Sequence, residues 1–560
     1  MSEQNDIVKF SSIERGESIK RVKQLEFDLL IIGGGATGCG IALDAASRGL
    51  STVLIEKKDF ASGTSSKSTK LIHGGLRYLK QFEFGLVRET GMERAIVHKL
   101  APHIVQPEKM LLPIIENGTY SKLAASIGVK IYDIMAGVRK SDRRKMLSKS
   151  ETLDKEPLLD ESVLKGSCYF AEYRTDDARL TIELIKTAAY YGATALNYVE
   201  AKDFIYDADK VRGVVAKDSI GGETISIRAK QVVSASGPWV DGLRSKNKSL
   251  SGKRLHLTKG VHIVLPHSKL PLKQSVYFDV PDGRMIFAIP RGKATYIGTT
   301  DTTYEASLDR VIATQTDAAY LLAAVKHAFP SVELFIEDID SNWAGLRPLI
   351  HEDGKSPSEL SRKDEIFTSE TDLISIAGGK LTGYRKMAQR IVDLVIEKLG
   401  KDAVSCKTKS IALTRSPIKN VDEVKIRIKE MKSVVNDKGL SDYYAWYLIT
   451  TYGNESNKII DRMSRYQDHA EVALARAELW YGVHFEMIHS STDYFIRRTG
   501  RLYFDIKSIE PLKSYISSDL TDYLNWDQQK IDEDKKELEE VILDASSYYA
   551  HDQLVASEVY

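Results

Sequence analysis

Three glycines with the spacing of a dinucleotide-binding turn stand near the start of the chain, at Gly33, Gly35 and Gly38. An apolar run at 27–32 precedes them and an alanine-rich stretch at 41–48 follows, so the turn falls between a predicted strand and a predicted helix. In such turns the first glycine allows the tight bend, the second admits a pyrophosphate, and the third lets the helix pack on the strand. Free N–H groups at the helix start would face the phosphates. The spacing therefore predicts a dinucleotide site.

An acidic residue stands where the ribose of such a dinucleotide would lie. Glu56 ends a second predicted strand, 52–55, about 20 residues beyond the last glycine, and a carboxylate at that distance accepts hydrogen bonds from a ribose. Strand, helix and strand together form a βαβ unit of about thirty residues. The alternative interpretation is a glycine turn in an unrelated α/β domain.

Three later segments are rich in glycine and hydroxylated residues, at 57–70, 234–239 and 377–382. Side chains and backbone of this kind can run beside a long cofactor and donate hydrogen bonds. In the last segment a predicted strand feeds a helix, so its N–H groups could face an anionic cofactor edge. A cofactor that touches all of these segments is long and buried, which favours FAD over a nicotinamide dinucleotide.

The composition is that of an ordinary globular protein, with 42% hydrophobic and 28% charged residues. Lys and Arg number 79 against 78 Asp and Glu, so bulk charge does not indicate nucleic-acid binding. The three cysteines, Cys39, Cys168 and Cys406, are widely spaced and form no C-x-x-C pair. An odd, scattered set favours a reducing compartment and argues against a cysteine metal site, so no metal is expected.

The sequence predicts a cytoplasmic protein and is compatible with peripheral attachment to the cytoplasmic face of the membrane. The first 25 residues contain four acidic residues and no long apolar stretch, so no secretory signal is expected. No apolar run reaches 18 residues, so no membrane span is expected. A predicted helix at 122–138 precedes a basic run at 139–145, which together could lie on an anionic surface. A core-packed helix with a solvated basic loop accounts for them equally well.

The remaining pattern is mixed and then helical. The segment Thr175, Asp176, Asp177 is predicted to form the N-cap and acidic first turn of a helix that runs to Tyr190. Apolar runs divided by Pro and Gly over 262–300 predict an antiparallel sheet. Another strand at 374–377 leads into a helix at 382–399, and beyond residue 410 the pattern is helical and charged.

With these segments in view, the chain resembles the family of FAD-dependent glycerol-3-phosphate dehydrogenases in their aerobic bacterial form. The matching motifs follow the family's order along the chain, and their combination is more specific than the dinucleotide turn alone. They are Ile31–Gly38, Gly63–Leu79, Tyr173–Leu180, Gly237–Asp241, Thr258–His262, Gly283–Pro290, Gly298–Asp301, Trp343–Pro348, Gly378–Arg385 and Arg497–Thr499.

The resemblance implies a fold of three parts: an α/β FAD-binding domain of the glutathione-reductase-like Rossmann type, a β-rich α+β substrate domain, and a C-terminal α-helical domain. The expected boundaries are an N-terminal arm at 1–25, an FAD-binding domain at 26–100, 166–255 and 340–402, a substrate-binding domain at 101–165 and 256–339, and a helical domain at 403–560.

The resemblance also implies noncovalent FAD held by the glycine turn and the later small-residue segments, with Val199 near the adenine through its backbone. The expected contacts are Gly33, Gly34, Gly35, Ala36, Thr37, Gly38, Glu56, Lys57, Thr64, Ser65, Ser66, Lys70, Leu71, Ile72, His73, Gly74, Val199, Ser236, Gly237, Trp239, Gly345, Gly379, Lys380, Leu381 and Thr382.

The activity that the resemblance implies is oxidation of sn-glycerol 3-phosphate to dihydroxyacetone phosphate by hydride transfer to FAD. Electrons would pass to a quinone at the inner leaflet of the cell membrane. The sequence is also compatible with a homodimer. The alternatives are an oxidase that reduces O2 to H2O2, an amine or amino-acid oxidase of the same superfamily, and a noncatalytic flavin-binding regulator. Related oxidases carry an extra segment after residue 350, and its absence here favours the dehydrogenase.

A doubly charged phosphate ester requires cations, and arginine binds two phosphate oxygens with one planar fork. By similarity to the family, Arg284 and Arg362 are expected to bind the phosphate, assisted by Arg77 and Tyr78. Two further cations are expected beside the flavin and the reacting carbon, where they would stabilise a developing alkoxide and also bind substrate. These are Arg347 and Lys380.

The general base is expected to be a histidine, because its ordinary pKa lies near neutrality. His262 is the first candidate and His73 the second. Arg347 is the alternative, as a cation that makes alkoxide formation possible without a base.

Overall fold

The computed structural model describes residues 10–72, 84–116, 118, 144–351 and 364–548. The described chain forms two β-sheets and a C-terminal group of helices. Several predicted features lie outside the described residues. They are His73, Gly74, Arg77, Tyr78, Arg362, the helix at 122–138 and residues 139–143 of the basic run.

The first sheet contains eight strands and carries the glycine turn. Numbered along the chain, they are β1 (Glu26–Ile32), β2 (Thr52–Ile55), β7 (Thr194–Leu196), β8 (Val199–Asp207), β9 (Lys210–Asp218), β10 (Thr224–Ser234), β17 (Asp364–Thr368) and β18 (Ile374–Gly378). The order is β17-β18-β10-β1-β2-β7, and the β8–β9 hairpin extends from β10. β1 is parallel to both β2 and β10, so the turn after β1 opens at the carboxyl edge of the sheet, where doubly wound folds bind ligands.

Helices cover this sheet and fix the glycine turn. They are α1 (Arg15–Gln24), α2 (Ala36–Ser47), α3 (Phe84–Leu100), α5 (Asp177–Tyr190), α6 (Val240–Lys246) and α8 (Tyr384–Lys398). The fully buried Ala42, Leu184 and Ile391 place α2, α5 and α8 in one core. Within the segment 175–177 predicted to cap α5, the structure assigns the cap to Asp176, whose carboxylate accepts a hydrogen bond from the Arg179 N–H at 3.0 Å.

The second sheet contains ten strands and is mainly antiparallel. They are β3 (Leu71–Ile72), β4 (Gln106–Ile115), β5 (Lys145–Leu147), β6 (Leu164–Arg174), β11 (Leu255–Pro266), β12 (Ser275–Asp279), β13 (Met285–Arg291), β14 (Ala294–Gly298), β15 (Thr302–Thr303) and β16 (Ser341–Ile350). The order is β15-β11-β14-β13-β12-β4-β6-β3, with β16 on β11 and β5 on β6. Helices α4 (Lys149–Lys155) and α7 (Gln315–Ala328) pack against it.

The register between β11 and β16 brings two of the predicted catalytic residues, His262 and Arg347, to one face. His262 lies opposite Trp343, and Gly260 lies opposite Gly345. Successive side chains alternate between the two faces of a sheet, so these residues share a face, while Val261 and Ile263 enter the core on the other side.

Three strands within the ranges predicted for the FAD-binding domain, 26–100, 166–255 and 340–402, lie in the second sheet. They are β3 and β6, which hydrogen-bond to each other, and β16, which hydrogen-bonds to β11. β6 also hydrogen-bonds to β4 of the same sheet. Apolar runs alone do not reveal which partner a strand will choose, because pairing is a property of the whole sheet.

The C-terminal helices pack on the second sheet. They are α9 (Val421–Asp437), α10 (Asp442–Tyr452), α11 (Ser456–Met463), α12 (Ala470–Phe485), α13 (Arg501–Phe504), α14 (Ile509–Leu524) and α15 (Gln528–Ser546), with a π-helical turn at Asp493–Arg498. Leu479 and Phe495 share a buried core with Tyr296 and Trp343 of the sheet. Within the described ranges, no helix combines the length and apolarity needed to cross a bilayer.

Candidate active site

A cavity of about 520 Å³ extends from the glycine turn of the first sheet to the β11–β16 pair of the second. This volume lies in the usual range for small-molecule and cofactor sites. Most of the predicted cofactor contacts line it. These are Gly33, Gly35, Ala36, Thr37, Glu56, Lys57, Thr64, Ser65, Leu71, Val199, Ser236, Gly237, Trp239, Gly345, Gly379, Lys380, Leu381 and Thr382.

Five other predicted contacts are described but do not line the cavity: Gly34, Gly38, Ser66, Lys70 and Ile72. Lys70 pairs with Asp177 at 2.6 Å and donates to the Ser66 carbonyl at 3.0 Å. Ile72 is fully buried within β3. These residues therefore support the wall rather than form its surface.

The turn between β1 and α2 has the conformation that its glycines allow. Gly33 has φ +115°, a region that side chains rarely adopt. The first residue of α2 follows Gly35, which provides no side-chain cap, and Gly35, Ala36 and Thr37 line the cavity. The positive end of the α2 dipole therefore faces the cavity, as a phosphate site requires.

Glu56 joins the glycine turn to the next loop. One carboxylate oxygen accepts from the Gly34 N–H at 2.7 Å and the other from the Lys58 N–H at 2.9 Å. Burial raises the pKa of Glu56, although both backbone hydrogen bonds oppose that shift. The predicted ribose acceptor is thus held rigidly on the cavity wall.

Lys57 and Trp239 close the same end of the cavity. The Lys57 ammonium lies 4.2 Å from the centre of the Trp239 ring and pairs with Asp309 at 2.5 Å. A cation over an indole face is a favourable contact. These side chains bring the β2 loop together with the segment after β10.

Arg347 marks the opposite end of the cavity. Its Nη1 donates to the Thr300 carbonyl at 3.1 Å and pairs with Asp301 at 3.2 Å. Its Nη2 donates to the Thr299 hydroxyl at 2.7 Å. The predicted Gly298–Asp301 motif therefore orients the guanidinium.

Lys380 enters the cavity from the first sheet, directly after β18 and before a short helical turn, Leu381–Gly383. Arg347 belongs to the second sheet. The two predicted cations near the reacting carbon thus come from different sheets, and the packing of the sheets sets their relative position.

His262 lies beside Arg347 and is 1% exposed. Its ring stacks on Trp343 with centroids 4.7 Å apart, and its Nε2 is 3.0 Å from the Thr69 hydroxyl. Burial lowers the pKa of His262 well below its ordinary value, and Arg347 and Lys70 add to the effect. Because this imidazole is desolvated among cations, its pKa lies below the ordinary near-neutral value on which the choice of a histidine rested.

Arg284 lies outside the cavity lining. It pairs with Asp282 at 2.6 Å in the turn before β13, and its guanidinium lies 4.1 Å from the centre of the Tyr320 ring. Burial lowers the pKa of Arg284, but Asp282, Tyr320 and Asp301 outweigh it and give a net rise. Asp301 also pairs with Arg347, so the charge of this one carboxylate acts on both arginines.

The contacts expected residue by residue omit several residues on the wall, notably Lys67, Ser68, Thr69 and Gly260, although 67–69 lie in a segment that was expected to run beside the cofactor. Burial is the main cause that lowers the pKa of Lys67 to about 8. The signal was present, since 67–69 fall inside the hydroxylated segment and Gly260 falls inside the Thr258–His262 motif.

The residues present fit a cofactor as long as FAD. The N-terminus of α2 offers N–H groups to a pyrophosphate at one end. At the other end the Nδ1 of His262 is buried, and no described residue gives it a hydrogen-bond partner. His262 lines this end of the cavity, and an orphaned polar atom on a lining residue fits a cofactor whose aromatic ring system carries hydrogen-bonding groups.

Two family models match the chain. The one described as FAD dependent oxidoreductase matches residues 28–370. The one described as the C-terminal domain of alpha-glycerophosphate oxidase matches residues 369–531. Together they cover both sheets and most of the C-terminal helices.

Curated relatives match over nearly the whole chain. The aerobic glycerol-3-phosphate dehydrogenase of Bacillus subtilis (strain 168) is 47% identical over 546 residues, covering 96% of this chain and 98% of the relative. The protein of that name from Staphylococcus aureus (strain bovine RF122 / ET3-1) is 48% identical over 543 residues, covering 96% and 98%.

Solved structures agree. The glycerol-3-phosphate dehydrogenase from Bacillus halodurans complexed with FAD superposes with a TM-score of 0.83 at 42% identity, over 97% of this chain and 99% of that chain. An L-alpha-glycerophosphate oxidase from Mycoplasma pneumoniae with FAD bound gives a TM-score of 0.54 at 20% identity, over 69% and 97%, and shows the fold alone.

Proposed function

The chain belongs to the family of FAD-dependent aerobic glycerol-3-phosphate dehydrogenases, and from this premise we propose that it oxidises sn-glycerol 3-phosphate to dihydroxyacetone phosphate and passes the electrons to a membrane quinone. The family, the fold class and the FAD cofactor predicted from the sequence are confirmed. The observation that carries the proposal is one continuous cavity, which joins the glycine turn to Arg347 and His262.

Oxidation of the substrate removes a hydride from the carbinol carbon and a proton from its hydroxyl. When bound, FAD supplies the acceptor for the hydride. Arg347 is the proposed partner of the hydroxyl oxygen, because a fixed cation stabilises the negative charge that develops there as the proton leaves. Its contacts with Thr299 and Asp301 hold it in place before substrate arrives, so little reorganisation is needed.

Lys380 is proposed as the second cation at the reacting end. It approaches from the β18 side while Arg347 approaches from β16, so a phosphate ester between them meets positive charge on two sides. The proposal therefore places the bound substrate between the two sheets, in contact with a cation from each.

His262 is proposed to accept the hydroxyl proton. Its low pKa keeps the imidazole neutral at physiological pH, and a neutral ring has a lone pair for the proton. The low pKa also makes it a weak base, so Arg347 is proposed to lower the cost of forming the alkoxide. The Thr69 hydroxyl and the Trp343 ring fix the imidazole plane.

The phosphate ligands remain the ones that the family motifs indicate. Arg284 is the described candidate, and its ion pair with Asp282 is 36% and 40% exposed, so breaking it to reach a phosphate costs little. Arg362, Arg77 and Tyr78, and the second candidate base His73, lie outside the described residues.

Peripheral attachment to the cytoplasmic face of the membrane completes the proposal, since a quinone acceptor is dissolved in lipid. The predicted surface helix lies outside the described residues. A homodimer stays a prediction of the family resemblance. The competing proposal is an oxidase that passes the electrons to O2, because one matching family model is described by an oxidase.

Anaerobic titration tests the function directly. We expect sn-glycerol 3-phosphate to bleach the flavin spectrum of the purified holoenzyme, and glycine, sarcosine and NADH to leave it unchanged. A quinone analogue should then reoxidise the flavin much faster than air does. Stoichiometric peroxide and slow reaction with the quinone would establish the oxidase instead, and no bleaching would refute both.

A further inference from the structure

A second cavity, separate from the active site, lies where the second sheet meets the C-terminal helices. It measures about 50 Å³, and its lining includes His103, Arg174, Asp176, Arg291 and Trp446. We call it the junction cavity. Among the described residues it shares no lining residue with the large cavity. We propose that the junction cavity binds a small tetrahedral oxyanion, such as inorganic phosphate.

Buried hydrogen-bonding atoms without partners line this cavity. His103 is 1% exposed, and neither of its ring nitrogens has a hydrogen-bond partner in the described chain. The Nη1 of Arg291 is likewise buried and lacks a partner among the described residues. Buried polar groups in native proteins are nearly always paired, and an unpaired one costs about 1–3 kcal/mol. Arginine N–H groups can only donate, so the missing partner carries acceptor oxygens.

Neighbouring contacts fix these donors in advance. The Nη2 of Arg291 pairs with Asp176 at 2.7 Å, and its guanidinium lies 4.0 Å from the centre of the Phe504 ring. Arg174 lies 5.4 Å from the centre of the Trp446 ring. Their side chains are 17% and 15% exposed, so parts of both guanidinium-bearing side chains border solvent at the rim of the cavity.

Positive charge is concentrated at the mouth of the cavity. Burial lowers the pKa of Arg174, and the Arg291 cation lowers it further, while Glu108 opposes both. Two arginines that disfavour each other's charge would both be stabilised by an anion between them. Four of the described lining residues are arginines, Arg174, Arg179, Arg291 and Arg498. Carboxylates already hold two of them, since Arg179 pairs with Glu183 and Glu486 and Arg498 pairs with Asp59, so Arg174 and Arg291 are the cations proposed to meet the anion.

Asp176, the one carboxylate among the described lining residues, does not oppose an anion. Asp176 accepts from the Arg179 N–H at 3.0 Å and from Arg291. Burial opposes its ionisation, but Lys70 and Arg291 outweigh burial and hold the pKa of Asp176 well below its ordinary value. Its charge is therefore already compensated by cations on two sides.

The size of the cavity favours an oxyanion over a single water. One water needs about 10–15 Å³ of such space, so 50 Å³ holds several waters or one group with four oxygens. A whole three-carbon phosphate ester would extend beyond the mouth. The shared chemistry is a phosphate group, supplied either by the free ion or by the substrate.

Occupancy would connect three parts of the molecule. Arg291 ends β13, Asp176 caps α5, and Trp446 belongs to α10 of the C-terminal helices. A ligand held by His103 and Arg291 would therefore tighten the docking of those helices on the sheet.

The test compares apparent melting temperatures of the FAD holoenzyme in inorganic phosphate and in sodium chloride of equal ionic strength. At about ten times its Kd, phosphate should raise the melting temperature by about 1–2 °C relative to chloride. Arg291→Gln should lose this rise. Thr451→Phe, which fills the cavity and keeps every cation, should lose it as well. The matched control Arg212→Gln, at an arginine outside the cavity, should retain it.

Phosphate could also act at the active site, and the two cavity variants separate these cases. A rise that persists in both variants, or no rise in the wild type, would overturn the proposal. If Arg291→Gln fails to fold, Thr451→Phe decides alone. A crystal grown in phosphate should show a tetrahedral ion against His103 and Arg291, and ordered waters alone would refute it.

A parallel titration with sn-glycerol 3-phosphate identifies the source of the phosphate group. A substrate-induced rise of equal size in the wild type and Thr451→Phe assigns the junction cavity to the free ion. A smaller rise in the variant assigns it to the ester. Either result supports a phosphate-group site only if Thr451→Phe also loses the rise in melting temperature that inorganic phosphate causes in the wild type.

Discussion

The guanidinium of Arg347 on β16 lies against the backbone of Gly260 on the neighbouring strand β11. A Cβ built on Gly260 would lie 2.2 Å from Nη2 of Arg347 and 2.5 Å from its Cζ, which is closer than any real contact. The absence of a side chain at residue 260 is therefore what allows the cation to lie flat against the strand, within reach of Thr299.

Gly260→Ala should consequently displace Arg347 without touching the glycine turn. We expect kcat to fall by about 100-fold, because a misplacement of about 1 Å at a positioned group can cost that much. FAD content, read from the absorbance ratio of flavin to protein, should stay at the wild-type level. Gly242→Ala is the matched control, since that glycine also lines the cavity and has open space at its Cβ position.

Arg347→Gln should lower the rate of anaerobic flavin reduction by about 100- to 1000-fold, the range for loss of one fixed group that stabilises developing charge. Arg347→Lys should recover only part of this loss, because an ammonium keeps the charge but not the planar fork that contacts Thr299 and Asp301. Stopped-flow absorbance measures both. Arg390→Gln, at a partly exposed arginine, controls for the loss of charge, and unchanged kinetics in Arg347→Gln would remove the residue from the mechanism.

The pH dependence of His262 follows from its depressed pKa. A base must be unprotonated, and this imidazole remains so well below its ordinary pKa of about 6.5. We therefore expect kcat/KM of the wild type to show no loss from His262 between pH 8 and pH 6.5. His262→Gln should slow flavin reduction across this whole range. A wild-type rate that falls with an apparent pKa near 6.5, and no longer does so in His262→Gln, would contradict the buried neutral ring.

The sequence predicted the features that depend on local chemistry. The β1–α2 turn, the strand at 52–55 and the Asp176 cap each follow from residue types at fixed spacing, and the structure places each within a residue or two of its predicted position. The helix predicted at 382–399 is likewise found at Tyr384–Lys398. Such signals are short in range and depend little on the rest of the fold.

Features that depend on three-dimensional packing could not be predicted. The role of Gly260 appears only once β16 pairs with β11, and the pKa of His262 depends on burial against Trp343. Lys70 stands in a cofactor motif, yet its partner Asp177 lies more than a hundred positions along the chain and draws it into the interior. Tertiary partners of this kind leave no periodic trace in one sequence.

Arg284→Gln tests the proposed phosphate ligand. If Arg284 leaves Asp282 to hold the substrate phosphate equally in the ground and transition states, KM should rise by about tenfold while kcat changes little. Steady-state kinetics with a quinone analogue measures both constants. Asp282→Asn, which releases the arginine from its ion pair, should lower KM or leave it unchanged. A KM unaffected by Arg284→Gln would leave the phosphate to other cations.

Asp59 connects the cofactor loop to the C-terminal helices, and its loss should destabilise the whole enzyme. The fully buried carboxylate accepts from Arg497 at 2.5 Å and from Arg498 at 2.8 and 3.0 Å. Asp59→Asn leaves two buried cations poorly compensated, which costs about 3–5 kcal/mol. Urea unfolding of the holoenzyme measures this loss. Asp393→Asn, at a carboxylate that is 53% exposed, should cost far less.

The pH dependence of that stability has a definite sign. Burial opposes ionisation of Asp59, but Arg498 and Arg497 outweigh it and hold its pKa well below the ordinary value of about 3.9. The contribution of Asp59 to the free energy of unfolding is therefore fully present above about pH 4 and is lost as the pH falls through the depressed pKa. Asp493 acts in the opposite direction, because burial and the Asp59 charge raise its pKa to about 6. The unfolding free energies of wild type and Asp59→Asn should accordingly converge below pH 4, and a constant difference between them down to pH 2 would refute the ionised Asp59 clamp.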